Sequence, residues 1–189
     1  MIKNPEFIVH TGPMFSSKTT ALLMTLERFT YQNKVIAAFK PKIDDRYSVN
    51  EIVSHNGFKY PAREITAGAD IFQYLSSPDV KEPTVIAVDE AFMIPGIADA
   101  LIWLYRNGFT VVVSSLDISS SGKIFSEIEK ILPWATKVDK CSAVCTVCGA
   151  DAHYTHRKVA GGEEIEIGGA ASYEPRCLTH HIGIVLRVI

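Results

Sequence analysis

The sequence predicts an α/β fold: a parallel sheet with helices on both faces, followed by a small C-terminal zinc-binding lid domain. Three observations carry this. Short apolar runs alternate with amphipathic helical stretches up to about residue 139, which is the rhythm of βαβ units around a buried parallel sheet. A glycine-bounded loop, residues 12–19, joins the first apolar run to the first helical stretch. All four cysteines, Cys141, Cys145, Cys148 and Cys177, fall after residue 140, where the αβ rhythm stops. The boundary is set there, giving an α/β domain over 1–140 and a lid over 141–189.

The elements follow in order. Residues 7–11 form a buried strand, and 18–33 a helix with Leu22, Leu26 and Phe29 on one face. Residues 35–39 are a second strand. Residues 40–60 are polar, with Asn56-Gly57 as a hairpin-turn signal. A short helix over 70–75 precedes the strand 84–88, which ends at Asp89-Glu90. Ile97, Leu101 and Leu104 define a helix closed by Asn107-Gly108. The β-branched run 109–113 is a strand leading to Leu116-Asp117, and 124–132 is a last helix before Pro133. Beyond residue 140 come short β-like pieces and glycine doublets. Ligands of such sheets sit at the carboxyl ends of the strands.

Composition narrows the function classes. The chain has 189 residues, 47% hydrophobic and 21% charged, the proportions of a globular protein with a real core. No run approaches the roughly 20 apolar residues of a membrane span. The first six residues lack the basic and apolar regions of a signal peptide, so a cytoplasmic location is expected. A net charge of −2 argues against a broad nucleic-acid surface. Cysteines clustered at one end of such a chain favour metal over disulfides.

Gly12-Pro13-Met14-Phe15-Ser16-Ser17-Lys18-Thr19 nearly matches the Walker A pattern. Backbone N–H groups of such a loop, ending at a helix N-terminus, cradle phosphate. This predicts a P-loop NTPase sheet that binds ATP. Gly12, Met14, Ser16, Ser17, Lys18, Thr19 and Thr20 are its binding residues. Lys18 supplies charge near the β- and γ-phosphates, and the Thr19 hydroxyl can ligate Mg²⁺. Ser17 stands where the second glycine is expected; a serine fits without strain if its φ is negative. Asp89-Glu90 fits a Walker B end, with Asp89 holding Mg²⁺ through water and Glu90 free to act as general base.

Cys145-Thr146-Val147-Cys148 and Cys177-Leu178-Thr179-His180 are a CxxC and a CxxH pair. Together they suit tetrahedral Zn²⁺ with three thiolates and one imidazole, a filled and therefore structural site. His181 competes with His180 as the fourth ligand, and Cys141 is left over as a buried apolar residue.

These residues together resemble the type II thymidine kinases, the zinc-containing P-loop class, over about residues 7–181. The resemblance is carried by residues 12–16 before the lysine, Lys40-Pro41, Asp44-Asp45-Arg46-Tyr47, Ser54-His55-Asn56, Asp89-Glu90 and Leu116-Asp117. It continues through residues 152–157 and Ile167-Gly168-Gly169-Ala170 with Tyr173. It implies that Glu90 and Arg46 are catalytic, as base on a nucleoside 5′-hydroxyl and as phosphoryl-binding cation. Asp44 supports that arginine or the metal. Met14, Phe125, Thr155, Gly168, Gly169 and Tyr173 bind thymidine, with residues 155–173 closing over the base. It also implies a homotetramer. The chain departs from the family at Ser17, at Phe92-Met93 where a Gln and an aromatic are usual, at Ser120 where a phenylalanine touches the base, and at His180 in place of a cysteine. Ser120 and Phe92 bear on base selectivity. Two other readings fit the motifs: a P-loop ATPase without a nucleoside acceptor, and a non-catalytic nucleotide-binding module with a zinc knuckle.

Overall fold

A computed structural model describes residues 4–44, 48–158 and 168–181. β1 (Phe7–Thr11) leads through the loop into α1 (Lys18–Tyr31) and then β2 (Ile36–Pro41). A hairpin, β3 (Glu51–Val53) and β4 (Lys59–Pro61), precedes β5 (Arg63–Ile65) and α2 (Ala69–Leu75). Next come β6 (Val85–Val88), a 3₁₀ turn Ala91–Met93, α3 (Ile97–Arg106) and β7 (Thr110–Ser115). α4 (Ser126–Ile131) and a 3₁₀ turn Leu132–Trp134 lead to β8 (Lys137–Lys140). The remainder is β9 (Ala143–Val144), β10 (Asp151–Ala152), β11 (Tyr154–Arg157), β12 (Tyr173–Arg176) and α5 (Leu178–His181).

Six strands make one sheet in the order β5-β2-β6-β7-β1-β8, every pair parallel. The alternation of the strands sorts side chains between two cores. Ile8, Ala38, Val85, Ala87 and Val112 face Leu22, Leu23, Leu26 and Phe29 of α1, with Ile52 of the hairpin. Phe7, Val9, Phe39, Ile86, Val88, Val111 and Val113 face α3 and α4 through Ile97, Leu101, Leu104, Ile128 and Ile131, and Ile71 of α2. Helices therefore cover both faces, as expected. Burying a single Leu or Phe in such a core contributes about 1.5–3 kcal/mol.

Two strands depart from expectation. β5 and β8 are the sheet's edges, and their Arg63-Glu64-Ile65 and Lys137-Val138-Asp139-Lys140 sequences are too charged to read as strands. Charged edges are how sheets avoid pairing with other chains. The expected helix over 124–132 is shorter, because Pro133 tightens its end into the 3₁₀ turn. No described helix is long and apolar enough to cross a membrane.

Candidate active site

The site lies at the carboxyl ends of β1, β6, β7 and β2. The loop after β1 is held from below. Gly12 has φ +141°, and a Cβ there would lie 2.3 Å from the Cys141 carbonyl oxygen, while the Cys141 N–H donates to Thr11 O at 2.7 Å. The first loop glycine is thus required by close packing against the start of the C-terminal segment. Cys141 itself is half-buried and stands outside the metal cluster.

Ser17 has φ 60° and ψ 26°, the left-handed region. The negative φ that would relieve a serine here is not adopted; the loop must reverse direction to start α1, whatever residue stands at this point. Phe15 (φ 65°) and Glu90 (φ 49°) are left-handed as well. A non-glycine residue there costs about 1–2 kcal/mol, and three such residues gather at one site, as strain commonly does where geometry serves function.

Lys18 is buried and its Nζ donates to the Pro13 carbonyl at 2.7 Å. Burial lowers its pKa, against the raising influence of Glu90 and Asp89. The Thr19 hydroxyl donates to Asp89 at 3.2 Å and 3.4 Å, and Ser114 at the end of β7 donates to Asp89 Oδ1. Burial, with Glu90 adjacent, pushes the Asp89 carboxyl up to about 7. A buried carboxylate paired with a hydroxyl from the phosphate loop fits a divalent cation, whose charge would offset that desolvation.

Three cavities meet here. A groove is lined by Met14, Phe15, Ser16, Ser17, Lys18, Thr19, Thr20, His55, Gly169, Ala170 and Glu90. An acidic cavity is lined by Asp44, Glu51, Asp89 and Glu90, with Thr19, Lys40 and His55. A third, mostly apolar pocket is lined by Met14, Phe92, Met93, Leu116, Phe125, Tyr173, Ser119, Ser120, Thr155, Gly168 and Glu90. Glu90 borders all three. The Phe92 and Phe125 rings pack at 4.6 Å and 39° as one wall of the apolar pocket. On the lid side Thr155 Oγ1 accepts from the Met14 N–H at 3.0 Å, tying β11 to the loop. Arg157 Nη2 donates to the Tyr173 hydroxyl at 2.8 Å. A Cβ on Gly168 would come within 2.8 Å of the Tyr173 ring, so that glycine lets the ring sit against the backbone.

Met14, Phe125, Thr155, Gly168 and Tyr173 thus come together with Glu90. Gly169 lines the groove instead, and Asp44 the acidic cavity. Arg46 lies outside the described residues. Motif reading alone missed Ser114, which bonds Asp89, and Ser115, whose hydroxyl accepts from the Phe92 N–H at 3.1 Å. Their signal was two serines ending a β-branched strand, at the end where ligands gather.

The metal-type cluster is equally definite. Ligand atoms of Cys145, Cys148, Cys177 and His180 lie within 4.8 Å of one another. Cys148 Sγ and Cys177 Sγ are 3.8 Å apart, and Cys177 Sγ is 3.1 Å from His180 Nδ1. A tetrahedron with Zn–S of about 2.3 Å sets its sulfurs about 3.8 Å apart, so the residues fit zinc. Desolvation opposes ionisation of Cys145, but backbone N–H donation from Cys177, Val147 and Cys148 outweighs it and brings the thiol down to about 6. His181 is turned away: its ring stacks on Tyr154 at 5.0 Å and 13°.

A family model described as thymidine kinase matches residues 6–181. Among solved structures, one described as the crystal structure of Bacteroides Pif1 bound to ssDNA matches at TM-score 0.33 and 16% identity, over 62% of this chain and 30% of that one. The chain thus spans under a third of that protein's length, and so loose a superposition says nothing about this site.

Proposed function

The chain belongs to the thymidine kinase family, and we propose that it carries the γ-phosphoryl group of ATP to the 5′-hydroxyl of thymidine, with Glu90 as general base. The observation that supports this most is the position of Glu90 on the wall shared by the phosphate groove, the acidic cavity and the apolar pocket. A base must reach the acceptor hydroxyl while the phosphoryl donor lies in line with it.

In this reading the loop 12–19 cradles the ATP phosphates. Lys18 exchanges its bond to Pro13 for one to phosphate oxygen. Thr19 and Asp89 would hold Mg²⁺, which would supply charge neutralisation to the phosphates. Met14, Phe92, Phe125 and Tyr173 enclose the base, and Thr155 keeps the lid against the loop. Glu90 takes the hydroxyl proton as the 5′-oxygen–phosphorus bond forms and the bond to the bridging oxygen of ADP breaks. Residues 159–167 of the expected lid, 155–173, lie outside the described residues; those flanking them, Thr155, Gly168 and Tyr173, line the apolar pocket on the side from which water would be kept out. Arg46 is proposed as a second cation for it. Cys145, Cys148, Cys177 and His180 would hold Zn²⁺, which would pin the short strands of the proposed lid domain, 141–189, to one another as the partner of the proposed α/β domain, 1–140. Cytoplasmic location and a homotetramer are carried over with the family.

Glu90→Gln tests the assignment. Transfer to thymidine falls by about 10²–10⁴-fold, the usual weight of a general base, while ATP affinity stays within a few-fold of the parent in a calorimetric titration. Unchanged turnover would remove Glu90 as the base.

A further inference from the structure

Arg157 has no part in the mechanism above, and it stands outside the wall of the apolar pocket. Tyr173 does line that pocket, and its hydroxyl accepts a hydrogen bond from Arg157 Nη2 at 2.8 Å. We propose that Arg157 is a positioning residue for the nucleoside: it fixes the plane of the Tyr173 ring and so sets thymidine affinity without touching the substrate. This rests on the thymidine kinase reading of the site.

The ribbon brings the two side chains together. β11 and β12 run antiparallel, with Arg157 directly opposite Tyr173 and Thr155 opposite Pro175. Directly opposed residues share a face of a ribbon, and so do residues two apart on one strand. Thr155, Arg157 and Tyr173 therefore stand on one face. Thr155 shows where that face looks, since its hydroxyl accepts from the Met14 N–H of the phosphate loop at 3.0 Å.

Other bonds fix the backbone under the ring. Gly169 O accepts from the Ser172 and Tyr173 N–H groups at 3.0 Å and 3.1 Å, and the Lys158 N–H donates to Ser172 O at 2.9 Å. The bare Gly168 backbone lies against the ring, where a Cβ would come within 2.8 Å. These contacts set where the ring starts, and rotation about its side-chain torsions is a separate freedom. A bond at the far end of the ring removes it. Tyr173 is buried, so its hydroxyl needs a partner other than bulk water. A guanidinium makes that bond about twice as strong as a neutral donor would. The guanidinium carbon also lies 5.4 Å from the ring centroid, so the same cation attracts the ring itself. A ring held in this way is a wall already in place for the base. A ring free to turn must be ordered as the nucleoside binds, which lowers affinity. The reacting atoms are not involved, so the loss falls equally on bound substrate and transition state and shows in KM.

The test measures kcat and KM for thymidine and ATP in the parent, Arg157→Met, Arg157→Lys, Tyr173→Phe and the double variant of Arg157→Met with Tyr173→Phe. Arg157→Met keeps the length of the side chain and loses its donors. It is expected to raise KM for thymidine about tenfold, the weight of one hydrogen bond to a charged group. Its kcat stays within about threefold of the parent, and KM for ATP is unchanged. Arg157→Lys, which can donate, recovers most of the loss. Tyr173→Phe raises KM for thymidine in the same way, and the double variant shows little further rise, because both changes remove one bond. Parental KM for thymidine in Arg157→Met overturns the proposal. So do rises that multiply in the double variant, and so does weakened use of ATP and thymidine alike with a lowered melting temperature, which would make Arg157 a prop of the lid fold. A parent that phosphorylates no nucleoside overturns the kinase reading and this proposal with it; an active parent with an indifferent Arg157 overturns the proposal alone.

Discussion

Ser17 holds a backbone angle suited to glycine, φ 60°, at the position where the loop motif calls for one. A glycine there relieves a strain of about 1–2 kcal/mol and gives back part of it as unfolded-chain entropy. Ser17→Gly is expected to stabilise the protein by about 1 kcal/mol, raising the melting temperature by about 2–4 °C; a lower melting temperature would show the serine is at ease there. Asp89 makes a second prediction. Its carboxyl titrates at about 7 instead of 3.8, so between those values the folded chain holds a proton that the unfolded chain has released. Metal-free stability from this group is therefore full below about pH 4 and lost as pH rises through about 7. Asp89→Asn removes that loss. Without divalent metal it should melt above the parent at pH 8 and close to it at pH 4, while transfer disappears. An identical difference at both pH values, read by scanning calorimetry, would contradict the assignment. At this scale the places of Lys18, Thr19, Asp89 and Glu90 at the strand ends were legible, because strand, loop and helix give each a fixed position. Backbone angles and hydroxyl partners such as Ser114 were not, since they depend on which strand lies alongside.

Among the elements, legibility followed burial. α1 and α3 carry apolar residues at helical spacing, and Leu22, Leu26, Phe29, Ile97, Leu101 and Leu104 are all within 1% of full burial. β5 and β8 were invisible because an edge strand needs no apolar pattern; its place is set by ladder bonds to β2 and β1. In the lid the CxxC and CxxH spacing pointed to four ligands, and the choice of His180 over His181 agrees with the stacking of His181 on Tyr154. Among the described residues these short strands enclose a cluster of Ala143, Cys145 and Ala152, with Cys177 against it, too little to hold a fold without a further link. Cys148→Ser should lower bound zinc below one per chain and loosen β9–β12, seen as faster amide exchange there with α1 and α3 unchanged. Full zinc with parental exchange would show that another residue completes the set.

For the whole molecule, the site depends on long crossovers. β1 and β2 are consecutive in the chain, yet β6 and β7 lie between them. That order sets Asp89-Glu90 beside the phosphate loop, and it carries Cys141 back beneath Gly12. No periodicity encodes it; the fold class was legible, but the strand order was not. The same arrangement makes the junction of three cavities at Glu90, with the loop groove, the apolar pocket and the acidic cavity on separate sides. The most direct test is a transfer assay with Mg-ATP and a panel of nucleosides, run beside a control without nucleoside. The account predicts 5′-phosphorylated thymidine formed faster than any other product, with little ATP consumed in the control. ATP consumed at the same rate with and without nucleoside, and no phosphorylated nucleoside, would contradict it.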